Sequence, residues 1–238
     1  MNPKNPTNPI NPISRFYPGP HIGAFFDFDL TLLKVESGRV GFKYLYHIKE
    51  IGFSFLLKVA VTNYFYQRDW VSDMQMARVM LTFYKGRNIE PLQAGAEEFY
   101  LSHLKPQLAP NILARVRQHQ AAEHTLVLVS ASVRYMLEPV IKNLGLDHLL
   151  CTDLEMLNGG QLTGQTDGPI CIDVHKRDAI RKLADQHNLD LSQSYAYGNH
   201  HSDIPMLETV GNPAAVEPTH RLKKKALSEG WPILSFQI

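Results

Sequence analysis

The chain has 238 residues, 44% of them hydrophobic and 20% charged, and a formal net charge of +1. That length buries a substantial core and holds one large domain or two modest ones. The balanced charge excludes a nucleic-acid-binding surface spread over the whole molecule, and 2 cysteines, Cys151 and Cys171, are too few to staple such a fold, which suits a reducing compartment.

In chain order, the first segment is Asn2 to Ile13, which repeats Asn-Pro-x four times. A three-residue period rich in proline predicts an extended, disordered tail over 1–20, without the apolar stretch of a signal peptide. Ile22 to Phe28 reads as a short buried strand, apolar and set off by Pro18-Gly19-Pro20. From Glu36 to Gln118, apolar residues recur at helical spacing, first Phe42, Leu45 and Tyr46, then Leu56, Leu57, Ala60 and Val61, then Met76, Val79, Met80 and Phe83. The aromatic and methionine content here reads as core packing or a lining. The most hydrophobic window, Ile51 to Tyr66, is broken by Lys58 and Thr62-Asn63 and falls short of the ~20 apolar residues of a membrane span. A soluble cytoplasmic protein with no membrane or nucleic-acid partner is expected.

After Thr125 the pattern becomes alternating strands and helices. Leu126 to Val129 is an apolar strand, followed by a helix over Tyr135 to Leu144 that stops at Gly145. Leu154 to Leu162 contains the hairpin turn Asn158-Gly159-Gly160. A helix over Lys176 to His187, a strand over Tyr195 to Tyr197 and a helix over Ser202 to Val210 follow, with last strands at Ala214 to Val216 and Ile233 to Phe236. This alternation predicts an α/β fold with a Rossmann-like parallel sheet and right-handed crossovers. The core is expected from 21–35 and 119–238, and a helical cap, 36–118, is inserted after the first strand, above the carboxyl edge of the sheet.

Phe25 to Thr31 reads Phe-Phe-Asp-Phe-Asp-Leu-Thr. Side chains in a strand repeat every two residues, so Asp27 and Asp29 leave the same side, at the strand end where open α/β sheets place ligands. Two carboxylates that close repel unless a shared proton or a cation intervenes, and a hard ion such as Mg²⁺ suits oxygen ligands; the plain alternative is a pair of helix caps. Ser130 ends the run Leu126 to Val129, Lys176 opens a helix, and Gly198 to Asp203 follow the strand Tyr195 to Tyr197. Singly, these read as caps or surface charges. Together, a hydroxyl, an ammonium and a third carboxylate converging on Asp-x-Asp form a phosphate-and-metal site.

These motifs resemble those of the haloacid dehalogenase superfamily, in its phosphoserine-phosphatase-like branch, over Gly23 to Phe236. Asp27, Asp29 and Thr31 match its Asp-x-Asp-x-Thr, Ser130 its second motif, Lys176 its third, and Gly198 to Asp203 its acidic loop. The resemblance implies a Mg²⁺-dependent phosphomonoester hydrolase acting on a small phosphorylated metabolite. In it Asp27 is the nucleophile, Asp29 the general acid and base, and Thr31, Ser130 and Lys176 bind phosphate. The metal is held by Asp27, Asp29 (through its carbonyl), Asn199 and Asp203. Relatives usually carry Asp where this chain has Asn199, so Asp203 is expected to carry more of the metal affinity. The neighbouring His200 and His201 are read as exposed and idle, the alternative being a softer ion. Glu36, seven residues past Asp29, and Arg78 match substrate-recognising residues of phosphoserine phosphatases, or else are solvated helix charges. The bulky Phe53, Phe55, Tyr64, Phe65, Tyr66 and Trp70 imply a cap unlike a compact serine-recognising one. A phosphotransferase using the same chemistry and a non-catalytic binding module are the alternatives.

Overall fold

The structure is a computed structural model describing residues 18–68 and 70–236. The Asn-Pro repeat therefore lies outside the described residues. Six strands form one parallel sheet: β1 (Gly23–Phe26), β2 (Thr125–Val133), β3 (His148–Thr152), β6 (Tyr195–Gly198), β7 (Asn212–Val216) and β8 (Ile233–Leu234), in the order β3-β2-β1-β6-β7-β8. The chain winds from β1 to β3 on one side, then crosses to β6 and winds the other way. The strand order thus reverses beside β1, the kind of place where doubly wound sheets bind ligands. An antiparallel hairpin, β4 (Leu154–Met156) and β5 (Leu162–Thr166), hangs from β3 around the expected turn.

Period-two alternation sorts the sheet residues between two cores. Phe26, Leu126, Leu128 and Tyr197 pack with Ile112 and Val116 of α5 (Pro110–Ala121) and with Leu137 and Val140 of α6 (Arg134–Leu144). Phe25, Val127, Val129 and Ala196 face the opposite layer, with Ile180 and Leu183 of α7 (Val174–His187), Leu207 of α8 (Ile204–Leu207) and Leu222 of α9 (His220–Glu229). Gly145 ends α6 in the left-handed region, φ 63°, as expected of a glycine there. Cys171 is buried and Cys151 partly so; both are free thiols whose burial pushes them up, to about 11 and about 12, as suits packing groups.

Between β1 and β2 lie α1 (Ser37–His47), α2 (Phe53–Tyr66), α3 (Asp73–Leu81) and α4 (Ile89–Phe99). A third cluster, with Ile51, Leu81, Phe83, Tyr84 and Ile89, joins this layer to Val133, Leu162 and Ile172 of the sheet side. Phe99, Tyr100 and Leu104 already belong to the sheet core, and the cap boundary expected at 118 falls inside α5, which packs on β2. The aromatic content of 36–118 divides in two. Phe42, Phe55 and Phe83 pack together in tilted and edge-to-face contacts, whereas Phe53, Leu57, Val61 and Tyr64 form an exposed stripe along α2, which has no buried residue. No helix among the described residues is long and apolar enough to cross a membrane.

Two local departures shape the site. The first strand ends at Phe26 rather than Phe28, because residues 28–32 close into a tight turn in which Leu30 sits at φ 55°, a region costly for a side chain with a Cβ. The second strand does not end at Ser130. It continues to Val133 through an irregular register after Val129, as at a β-bulge, which re-aims side chains next to sites.

Candidate active site

The carboxyl end of β1 opens into a cavity of about 1260 Å³ between the sheet and the cap helices. Asp27 stands first after the strand. Its N–H donates to the Tyr197 carbonyl at 2.9 Å, so its backbone is keyed to β6. Its Oδ1 accepts from Lys176 Nζ at 2.6 Å and its Oδ2 from Thr31 Oγ1 at 3.1 Å. Lys176, in the first turn of α7, also donates to Asp203 Oδ1 at 2.7 Å. The other oxygen of Asp203 accepts two backbone N–H groups, from Asn199 at 3.0 Å and His200 at 2.9 Å. Gly198 makes room for this loop, since a Cβ there would stand 2.7 Å from that of Asp203.

Asp29 is held from the cap side and from β2. The backbone N–H of Ser37, at the start of α1, donates to Oδ1, and Ser132 Oγ donates to Oδ2 at 3.2 Å. The Ser37 and Ser132 hydroxyls lie 3.1 Å apart, closing the ring. Ser130 is buried, lines the cavity and accepts the Ser132 N–H on its Oγ at 3.1 Å.

Burial dominates the electrostatics. It pushes the Asp27 carboxyl up to about 7; Lys176 pulls the other way and Asp203 adds to the rise. Burial likewise raises Asp29, against the hydrogen bonds from Ser37 and Ser132. On Lys176 burial opposes the charge, but the Asp203 and Asp27 carboxylates together outweigh it and hold the ammonium protonated. Two carboxyl groups thus contact one ammonium, and a third, Asp29, lies on the same cavity wall. This concentration of carboxyl oxygens, with the Asn199 amide beside it, fits a small oxygen-seeking cation such as Mg²⁺, whose charge would favour their ionised forms.

Asp27, Asp29, Ser130, Lys176, Asn199, Asp203 and Glu36 all line this one cavity. Thr31 does not: it is fully buried behind Asp27 and orients that carboxylate, whereas the family match implied phosphate binding. Arg78 does not either. It is exposed on α3, whose cavity face carries Asp73, Met76, Ala77 and Met80. The cap cations on the cavity wall are instead Arg39, Lys43 and Arg87, and Arg87 is tied to Glu50 at 3.0 Å. His200 and His201, expected to be exposed, are partly buried against the cap. Ser37 and Ser132 were not singled out by sequence reasoning.

Comparison with known proteins identifies the family of the chain. The haloacid dehalogenase-like hydrolase family model matches residues 24–208. A Streptomyces azureus protein described as "Inhibition of morphological differentiation protein" is 31% identical over 224 residues, 91% of this chain and 79% of that one. The crystal structure of a Bordetella pertussis Tohama I protein of unknown function superposes with a TM-score of 0.82 at 27% identity, over 92% of this chain and all of that one. A phosphoserine phosphatase solved as a phospho-aspartyl intermediate analogue shares the fold, with a TM-score of 0.66 at 18% identity over 92% and 95% of the two chains. The chain belongs to the haloacid dehalogenase-like hydrolase family and is an enzyme with the fold of its phosphoserine-phosphatase-like branch.

Proposed function

We propose that the enzyme hydrolyses phosphomonoesters through a phosphoryl group carried transiently on Asp27. The observation that carries this reading is the Asp27 carboxylate itself, at the cavity floor, oriented on one oxygen by Thr31 and on the other by Lys176. Its oxygen attacks phosphorus and the ester oxygen leaves. Asp29, held by Ser37 and Ser132, delivers a proton to that leaving oxygen, then takes one from the water that cleaves the acyl phosphate. Lys176 has three N–H donors, two of them spent on Asp27 and Asp203, so the third is available to a phosphoryl oxygen. Ser130 supplies a hydroxyl on the same wall, and together they absorb charge as the transition state forms. Asp27, the Asp29 carbonyl, Asn199 and Asp203 would hold Mg²⁺, which when bound offsets the repulsion between phosphate and carboxylates.

The substrate is a small phosphorylated metabolite whose body is bulkier and less polar than serine. The cavity has about 1260 Å³ and its cap wall includes Phe42, Leu45, Leu56, Met76 and Met80. Glu36 and the cations Arg39 and Lys43 are placed to choose among polar groups on it. The test is turnover of a generic phosphomonoester, followed by a panel of phosphorylated metabolites. Activity with Mg²⁺ that disappears in excess EDTA supports the reading, and full activity in EDTA after dialysis overturns its metal requirement. Absence of turnover across the panel with Mg²⁺ present overturns the hydrolase assignment.

A further inference from the structure

Outside the Asp27–Lys176–Asp203 cluster, a second group of metal-ligating side chains converges where cap meets core. Asp73 is the first residue of α3, and its helix start is fixed by a capping box between Ser72 and Gln75. His200 and His201 lie on the loop after β6. Asp73 Oδ2 stands 3.5 Å from His201 Nε2 and 3.8 Å from His200 Nδ1, and one ligand atom from each of the three residues lies within 4.8 Å of the others.

These are ion-pair distances, longer than a good hydrogen bond and close to the edge of a zinc tetrahedron, about 3.3 Å for bonds of ~2.0–2.1 Å. The tautomer of the His200 ring is set as a ligand requires. Its Nδ1 carries the lone pair and takes only a long bond from the Ser202 N–H at 3.4 Å, which an ion would displace, and its Nε2 lies 3.3 Å from Tyr66 Oη, where a ring N–H finds its acceptor. An outer hydrogen bond of this kind fixes the tautomer in metal-bound histidines. The Ser202 hydroxyl, 2.9 Å from the same Nδ1, can turn its proton away. All three side chains are 20–31% exposed, leaving an open coordination position toward solvent.

We propose that Asp73, His200 and His201 form a binding site for a divalent transition metal of the Zn²⁺ type, bridging cap and core beside the phosphate site. Two imidazoles and one carboxylate select such an ion over Mg²⁺, which prefers an all-oxygen shell. Because Asp73 comes from the cap and the histidines from the loop that carries Asn199 and Asp203, the ion ties α3 to that loop. This inference is independent of the phosphatase reading.

The test uses the full chain, stripped with chelator and titrated with Co²⁺ in excess Mg²⁺, with visible absorption as the readout. One equivalent of Co²⁺ should give an intense, tetrahedral-type spectrum that Zn²⁺ abolishes by displacement. His201→Ala and Asp73→Asn, both partly exposed positions, should each weaken Co²⁺ binding at least tenfold, with circular dichroism verifying the fold. Asp27→Asn should leave the spectrum intact. A weak octahedral-type spectrum, or one that survives both His201→Ala and Asp73→Asn, would overturn the proposal, as would loss of the spectrum in Asp27→Asn.

Discussion

Asp27 and Asp203 both accept from Lys176, yet replacing each by asparagine should have very different consequences for stability. Asp27 faces one ammonium and one hydroxyl. An amide there keeps its oxygen toward Lys176 and points its NH₂ at Thr31 Oγ1, which turns from donor to acceptor. Burial has already pushed the Asp27 carboxyl up to about 7, so a neutral group is close to what the site tolerates. The expected loss is within ~1 kcal/mol. Asp203, by contrast, faces three donors with two oxygens: Lys176 on one, the Asn199 and His200 N–H groups on the other. An amide has one oxygen, so its NH₂ must confront either a buried ammonium or two buried N–H groups. Breaking such a buried pair costs ~3–5 kcal/mol. At the lower end that is ~6–12 °C in Tm for a chain of this size, at ~2–4 °C per kcal/mol. Urea unfolding of both variants and the unaltered protein, in EDTA so that bound metal does not bias any of them, measures the difference. Equal losses would refute the reasoning, since they would mean the two carboxylates hold Lys176 equivalently.

Restoring a carboxylate with Asn199→Asp should lower the Mg²⁺ concentration for half-maximal activity roughly tenfold, or ~1.4 kcal/mol; an unchanged requirement would show that Asn199 is not a ligand. Buried His119 bonds His124 and Tyr197, each at 2.8 Å, and burial with the nearby His124 and Arg115 lowers its pKa from 6.5 to about 3. The unfolded chain therefore takes up a proton that the native state refuses. The His119 contribution to stability is fully present above pH ~6.5 and is lost as acid is added, by ~2 kcal/mol at pH ~5, while the raised Asp27 carboxyl acts in the opposite direction over the same range. The His119 part is therefore the difference in pH dependence between the protein and His119→Phe, and an identical pH dependence in the two would contradict the assignment.

Much of this was legible in the sequence because it depends on short-range rules. The apolar runs leading to Asp27, Ser130 and Gly198 marked three neighbouring strands, although β1 ends sooner and β2 later than expected, and parallel strands bring their carboxyl ends to one edge. Ser132 was within reach, two residues past Ser130 in the same strand, while Ser37 was not. Its N–H meets Asp29 only because Leu30 adopts a left-handed backbone that no local pattern announces. Thr31 sits in the expected motif, but the turn after β1 folds it behind Asp27 rather than into the cavity. Arg78 lies off the apolar phase of its helix, Met76, Val79 and Met80, and a strict reading of that phase would have kept it out of the site. The partial burial of His200 and His201 depends on Asp73 and Tyr66, which arrive from the cap far upstream. Only the tertiary fold joins them.

The central claim is that Asp27 carries the phosphoryl group, and the most direct measurement is to trap it there. The enzyme is mixed with a turned-over phosphomonoester, quenched in acid, digested and analysed by mass spectrometry. The account predicts one added phosphoryl group on the Asp27 side chain, removed by hydroxylamine and absent from Asp27→Asn, which should lose turnover by several orders of magnitude. Rapid turnover with no phosphoryl group at Asp27, or near-normal turnover by a folded Asp27→Asn variant, would contradict it.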